Sequence, residues 1–273
     1  MFHCIKRTSV FLCLLISAIL TAQEKGGQYG ICMIDRGKIT GCNTEELFAM
    51  HSVMKFPQAL YVAGHLQSKG LTLEDSVLVV KDRLDQDTWS PMLKHFQTEK
   101  YFTYAELLEY SLAMSDNNAC DLLFEHCGSP SAVETYIHSF GFTDIHICLT
   151  EKEMHLNPDR AAENCCTPVE IARLFEWFRL RRHDNEFFEF FSQVMGNCKT
   201  GLERISAVLP SGSQFIHKTG SGFQDSEGKE DRNDAGIIFF PDGSQVTIAV
   251  FVQAAQTESD VADIAAEYLW QEK

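Results

Sequence analysis

Hydrophobic periodicity divides the chain into a strand-like start, a helical middle and a strand-like end. Residues 29–34 alternate only loosely and read as a strand, and residues 38–42 pair with it across Asp35-Arg36-Gly37. From Ser52 the period lengthens to that of a helix. Residues 53–67 open this region, with Pro57 just beyond the first turn. Thr103 caps a helix over 104–113, a second spans 118–126, and Ser129-Pro130 starts a third that runs to Phe140. Thr167-Pro168 begins a helix over 169–181, where Ile171, Leu174, Phe175 and Phe178 share one face. The aromatic stripe of 185–195 reads as core, and 202–208 as a short helix. Alternation then returns. Residues 213–219, 235–240 and 245–253 read as strands, with Pro241-Asp242-Gly243 as a hairpin turn, and 258–271 forms a closing amphipathic helix.

Strands at both ends around a helical middle predict an α/β (α+β) fold. One antiparallel sheet is built from both chain ends and flanked by helices, with an all-α lobe inserted into it. Residues 23–50 and 200–273 form the α/β lobe and 51–199 the α lobe, with the site at their interface. Residues 1–22 stand apart. Lys6 and Arg7 precede an apolar run over 10–20 and a small-residue exit at Leu20-Thr21-Ala22, the layout of a signal peptide cleaved after Ala22. No other apolar run reaches the ~20 residues of a bilayer span, so no membrane association is expected.

Composition narrows the function. Hydrophobic residues make up 45% of the chain, which excludes disorder. A net charge of −15, more negative once Lys6 and Arg7 leave, argues against nucleic-acid binding, which rests on clustered cations. Cys32, Cys42, Cys120, Cys127, Cys148, Cys165, Cys166 and Cys198 follow the leader. They include no C-x-x-C pair, and the chain has no H-E-x-x-H, so neither a metal nor another cofactor is expected. Cys32 with Cys42, on adjacent strands, is the one bridge to test.

Three short motifs carry chemistry. Ser52-Val53-Met54-Lys55 sets a hydroxyl and an amine one turn apart, and a serine needs such a neighbour to become a nucleophile. Ser115-Asp116-Asn117 falls where one helix stops and another starts, a usual place for capping residues. Lys218-Thr219-Gly220 ends a strand, with Ser221 next, and can turn an ammonium and backbone N–H groups toward a ligand. Ser226-Glu227-Gly228-Lys229 and Lys199-Thr200-Gly201 repeat two of the patterns, the first in a polar loop and the second just before a helix. Each motif alone is weak; their order is not.

In the sequence S-x-x-K, S-D-N, K-T-G, they resemble class A serine β-lactamases and penicillin-binding proteins. The resemblance to class A enzymes covers nearly the whole mature chain. It leans to the Bacteroides-type branch through Ser115-Asp116-Asn117-Asn118-Ala119-Cys120-Asp121 and Asn233-Asp234-Ala235-Gly236. It implies hydrolysis of penicillins or cephalosporins through a Ser52 acyl-enzyme, giving antibiotic resistance, by a periplasmic monomer. The resemblance makes Ser52 the nucleophile, Lys55 its partner and Ser115 a proton relay to the lactam nitrogen. Lys218, Thr219 and Asn117 hold the substrate, and the N–H groups of Ser52 and Ser221 form the oxyanion hole. Either Lys55 or Glu151 through water is the acylation base. Glu151 is taken as the carboxylate that activates the deacylating water, in preference to Glu153, which fits the literal E-x-x-L-N pattern. Arg204 is assigned to the substrate carboxylate and Trp89 to an aromatic gate.

Departures from the family carry their own expectations. His155 stands where most relatives have the Asn that helps hold the water, so deacylation is expected to be slow or pH-sensitive. Leu149 and Asn164 replace the usual Arg–Asp bridge, which leaves the Glu151 loop unbridged. Pro57 removes a donor from the nucleophile's helix. The alternative function is a non-hydrolytic penicilloyl-binding protein or DD-peptidase.

Overall fold

The computed structural model describes residues 28–270. The leader assigned to 1–22 lies outside them. In chain order the elements are β1 (Tyr29–Asp35), β2 (Lys38–Cys42), β3 (Phe48–Ala49) and, after a 3-10 turn over His51–Met54, α1 (Lys55–Lys69). Next come β4 (Ser76–Val80), β5 (Glu99–Thr103), α2 (Tyr104–Ala113), α3 (Asn117–Cys127), α4 (Pro130–Ser139) and β6 (Ile145–His146). Then follow α5 (Glu151–Leu156), β7 (Cys165–Cys166), α6 (Pro168–Arg181) and α7 (Glu186–Gly196). The chain closes with β8 (Gln214–Ser221), β9 (Glu230–Phe239), β10 (Gln245–Ala255) and α8 (Ser259–Leu269).

The main sheet runs β2-β1-β10-β9-β8, antiparallel throughout, so both chain ends build it as the periodicity predicts. Its two faces are covered differently. On one, Ile31, Ile238, Ile248 and Val250 pack with Val261, Ile264 and Ala265 of α8. The other joins the large core that continues into the helices, where Phe56 of α1 stacks on Phe175 of α6 at 4.0 Å. Helix α6 lies within the helical middle yet packs against β1, β9 and β10. Among the described residues no helix is long and apolar enough to cross a membrane.

Helix starts follow local chemistry. Thr103 and Glu106 form a capping box at α2, and Thr150 and Glu153 form another at α5. Each such cap contributes about 1 kcal/mol.

Three expectations change. Helix α1 begins at Lys55, so Pro57 falls in its first turn, where an N–H has no helical partner to lose. Residues 202–208 form only a turn and a 3-10 segment over Ile205–Val208, because a buried Arg204 pulls the chain onto the sheet. Cys32 stands opposite Gly41 and Cys42 opposite Ile31, so the two side chains point to opposite faces of the sheet and both thiols are free.

Candidate active site

Strand β8, the edge of the sheet, faces the start of α1 across a narrow gap. Gly220 makes that approach possible, since a Cβ there would come within 2.5 Å of the Met50 carbonyl oxygen. Asn233, buried on β9, holds the same segment by donating to the carbonyls of Ala49 and Met50 at 2.8 and 3.2 Å. Ser52 therefore sits between β8 and the start of α1, anchored from the sheet side.

Its hydroxyl donates to Glu151 Oε1 at 3.1 Å and accepts from Lys55 Nζ at 2.9 Å. Lys55 is fully buried, and three more oxygens surround its Nζ: Ser115 O at 2.9 Å, Asn117 Oδ1 at 2.8 Å and Glu151 Oε1 at 2.9 Å. Four acceptors and no donor mark a site built for an ammonium, which brings three N–H bonds and a charge. Ser115 has left-handed backbone (φ 55°), a strained state for a residue other than glycine. That twist lets its carbonyl meet Lys55 while its hydroxyl accepts from Lys218 Nζ at 2.9 Å.

Lys218 is also fully buried. Burial and then the charge of Lys55 bring its pKa down to about 7. Asn117 donates to Thr88 Oγ1 at 2.8 Å, and Thr219 shares a 2.5 Å hydrogen bond with Thr200. The second K-T-G copy is thus more than punctuation, because its threonine orients the first copy's.

Glu151 and Glu153 part company. Glu151 opens α5, mostly buried and turned to Ser52, while Glu153 caps the helix through Thr150. Sequence reasoning missed what holds Glu151 in place. Asp121 accepts the backbone N–H groups of Glu151 and Lys152 at 2.8 and 2.9 Å. Burial and the nearby Glu151 charge push Asp121 up to about 7. The second anchor corrects the expected unbridged loop. Asn164 is fully buried; its Oδ1 accepts from the N–H of Cys148 and Leu149 at 2.8 and 2.9 Å, and its Nδ2 donates to the Leu149 carbonyl at 2.8 Å. One amide does the work of the missing ion pair.

Arg204 also departs from its assigned role. It is 2% exposed, and all five N–H donors are engaged by protein oxygens. Nη1 donates to the carbonyls of Gly220 and Asn233 at 2.8 and 2.6 Å, and Nη2 to Ser221 Oγ at 2.6 Å and Glu258 at 3.3 Å. Nε completes the set on Glu258. Direct capture of a substrate carboxylate has no donor left; Arg204 shapes the end of β8 instead.

Trp89, 61% exposed, donates through Nε1 to the Met114 carbonyl at 2.9 Å, and its own carbonyl accepts from the Asn117 N–H. It therefore stands at the lip of the S-D-N turn. His155 is half-buried, its ring 6.4 Å from that of Phe223, which follows β8. The two rings bridge the α5 loop to the strand end.

Behind β8 lies a buried group that no motif announces. His217 Nδ1 sits 2.7 Å from Asp234 Oδ1, and the same imidazole hydrogen-bonds Cys198. Burial opposes the imidazolium, but Asp234 outweighs it and raises His217 to about 10. Burial likewise opposes the Cys198 thiolate, yet the His217 hydrogen bond and charge bring the thiol down to about 6. This thiolate in turn favours the charged form of Lys218.

The sequence profile of the β-lactamase enzyme family matches residues 15–271. A β-lactamase of Bacteroides uniformis is 32% identical over 237 residues, covering 85% of this chain and 80% of that protein. The extended-spectrum β-lactamase PER-1 of Pseudomonas aeruginosa is 33% identical over 219 residues, 80% of this chain and 71% of that protein. The crystal structure of a β-lactamase from Chitinophaga pinensis superposes with a TM-score of 0.87 at 28% identity, over 93% of this chain and 97% of that one. The chain belongs to the β-lactamase enzyme family and is a class A serine β-lactamase of Bacteroides type.

Proposed function

We propose that Glu151 serves both halves of β-lactam hydrolysis at Ser52, with Lys55 as a fixed cation. The single observation that carries this reading is the set of four oxygens around Lys55 Nζ, which keeps its proton in place and leaves the Glu151 carboxylate as the base in contact with the Ser52 hydroxyl. Ser52 Oγ attacks the lactam carbonyl carbon as its proton passes to Glu151. The N–H groups of Ser52 and Ser221 hold the resulting oxyanion. When the C–N bond breaks, the nitrogen takes the proton of Ser115, which is replaced from Lys218. A group with pKa about 7 suits such a relay at neutral pH. The proton Glu151 took from Ser52 returns through solvent to Lys218 and restores its ammonium. Glu151 then takes a proton from water, whose hydroxide attacks the ester carbonyl, and gives that proton to the departing Ser52 oxygen.

In this reading Asn117 receives the acylamide side chain, Thr219 and Lys218 receive the carboxylate, and Trp89 and His155 border the cleft. The enzyme acts as an exported, periplasmic monomer. The leader pattern over 1–22 supports export. Mixing the purified protein with a chromogenic cephalosporin, while absorbance and intact mass are followed together, tests the reading. Sustained turnover with no accumulating adduct is expected. A one-to-one adduct on Ser52 that persists without turnover contradicts it and marks a penicilloyl-binding protein.

A further inference from the structure

Spacing along the chain conceals a donor set that the fold assembles far from Ser52. Glu134 and His138 stand one turn apart on α4, and β6 brings His146 against them. Glu134 Oε1 lies 3.1 Å from His146 Nδ1 and 3.8 Å from His138 Nε2. One donor atom from each of the three falls within 4.8 Å of the other two. Ligand atoms bound at about 2.0–2.1 Å in a tetrahedron around zinc lie roughly 3.3 Å apart, so side-chain torsions alone close the remaining gaps. The imidazole planes stand at 89°, with centroids 6.0 Å apart.

We propose that Glu134, His138 and His146 form a binding site for a divalent transition-metal ion, Zn²⁺ by preference, with its fourth position open to solvent. Two imidazoles and one carboxylate are a donor set that suits Zn²⁺ over Ca²⁺ or Mg²⁺, which seek oxygen. The side chains are 23–37% exposed, so an ion reaches them from solvent without opening the core. Coordination displaces the contact between His138 Nε2 and the Ile145 carbonyl, now 2.9 Å, and moves that ring's proton to Nδ1. Glu134 supplies the negative charge that an ion shared with two neutral rings needs. His146 pairs with Cys165 across β6 and β7, beside the Asn164 that clamps the Glu151 loop. A bound ion therefore ties α4 to the base of that loop.

The test is a Co²⁺ titration of the purified, untagged protein by absorption, followed by Zn²⁺ competition against a chromophoric chelator. One equivalent of Co²⁺ with visible d–d bands, displaced by Zn²⁺, is expected. His138→Ala, His146→Ala and Glu134→Gln should each weaken binding by at least about tenfold, and His183→Ala, outside the cluster, should not. Zn²⁺ should also raise the Tm of the wild type and not that of His146→Ala. Because all four positions are partly exposed, the variants should fold, and their unfolding curves without metal check that. Binding that survives in the His138→Ala/His146→Ala double variant, strong thiolate-to-metal charge-transfer absorption, or no stoichiometric binding overturns the proposal.

Discussion

The Lys55 ammonium and the Glu151 carboxylate form a 2.9 Å ion pair at the foot of the Ser52 hydroxyl, with both side chains withdrawn from solvent. The pair joins two elements distant in sequence, one residue from the start of α1 and the other from the start of α5. Its alignment therefore depends on whatever fixes the loop before α5. Two side chains do so, Asp121 from α3 and Asn164 from beside β7.

Asn164→Ala should loosen this loop. It leaves the N–H groups of Cys148 and Leu149 and the Leu149 carbonyl without partners, at a cost of about 2–3 kcal/mol. Urea unfolding should show that loss, and pre-steady-state kinetics should show deacylation slowed more than acylation. Unchanged stability would mean that the loop is held elsewhere.

Arg204→Lys separates a scaffolding role from direct binding. Lysine cannot serve Gly220, Asn233, Ser221 and Glu258 together. Stability should fall by about 2 kcal/mol, and kcat/KM should drop about tenfold for every β-lactam tested. A rise in KM alone, at unchanged Tm, would restore Arg204 as a direct substrate ligand.

The alkaline limb of kcat/KM should report Lys218. Its folded pKa is lowered to about 7, so the ammonium that feeds Ser115 is lost as pH rises through that value and activity falls on the alkaline side. The Cys198 thiolate works in the opposite direction to burial and helps Lys218 keep its proton. Cys198→Ala should therefore move the limb to lower pH. A limb that stays in place would show that Cys198 does not act on Lys218 as a charge.

Much of this was legible in the sequence, for identifiable reasons. The strand and helix periods located the sheet at both chain ends and the helices between, and caps such as Thr103 and Thr167 fixed helix starts within about a residue. Ser52, Lys55, Ser115 and Lys218 lie in short motifs, so their meeting could be anticipated. Glu151 could be separated from Glu153 by its position relative to Ser115 and by the Bacteroides-type run Glu151-Lys152-Glu153-Met154-His155. What the sequence hid depends on contacts between distant segments. Asn164 looked like the loss of an ion pair, because one buried amide satisfying three backbone groups has no linear signature. Arg204 looked free because nothing local shows that Gly220, Asn233 and Glu258 converge on it. The Glu134, His138 and His146 group escaped because its third member arrives from a strand. Cys32 and Cys42 looked bridgeable until the register put them on opposite faces.

Glu151→Gln is the most direct test of the central claim, since it keeps the shape of the side chain and removes the base. Quench-flow with a chromogenic cephalosporin and intact mass should show kcat reduced by about 10²–10⁴-fold, with covalent adduct accumulating on Ser52. Turnover at the wild-type rate, with no adduct at any time, would contradict the role given to Glu151.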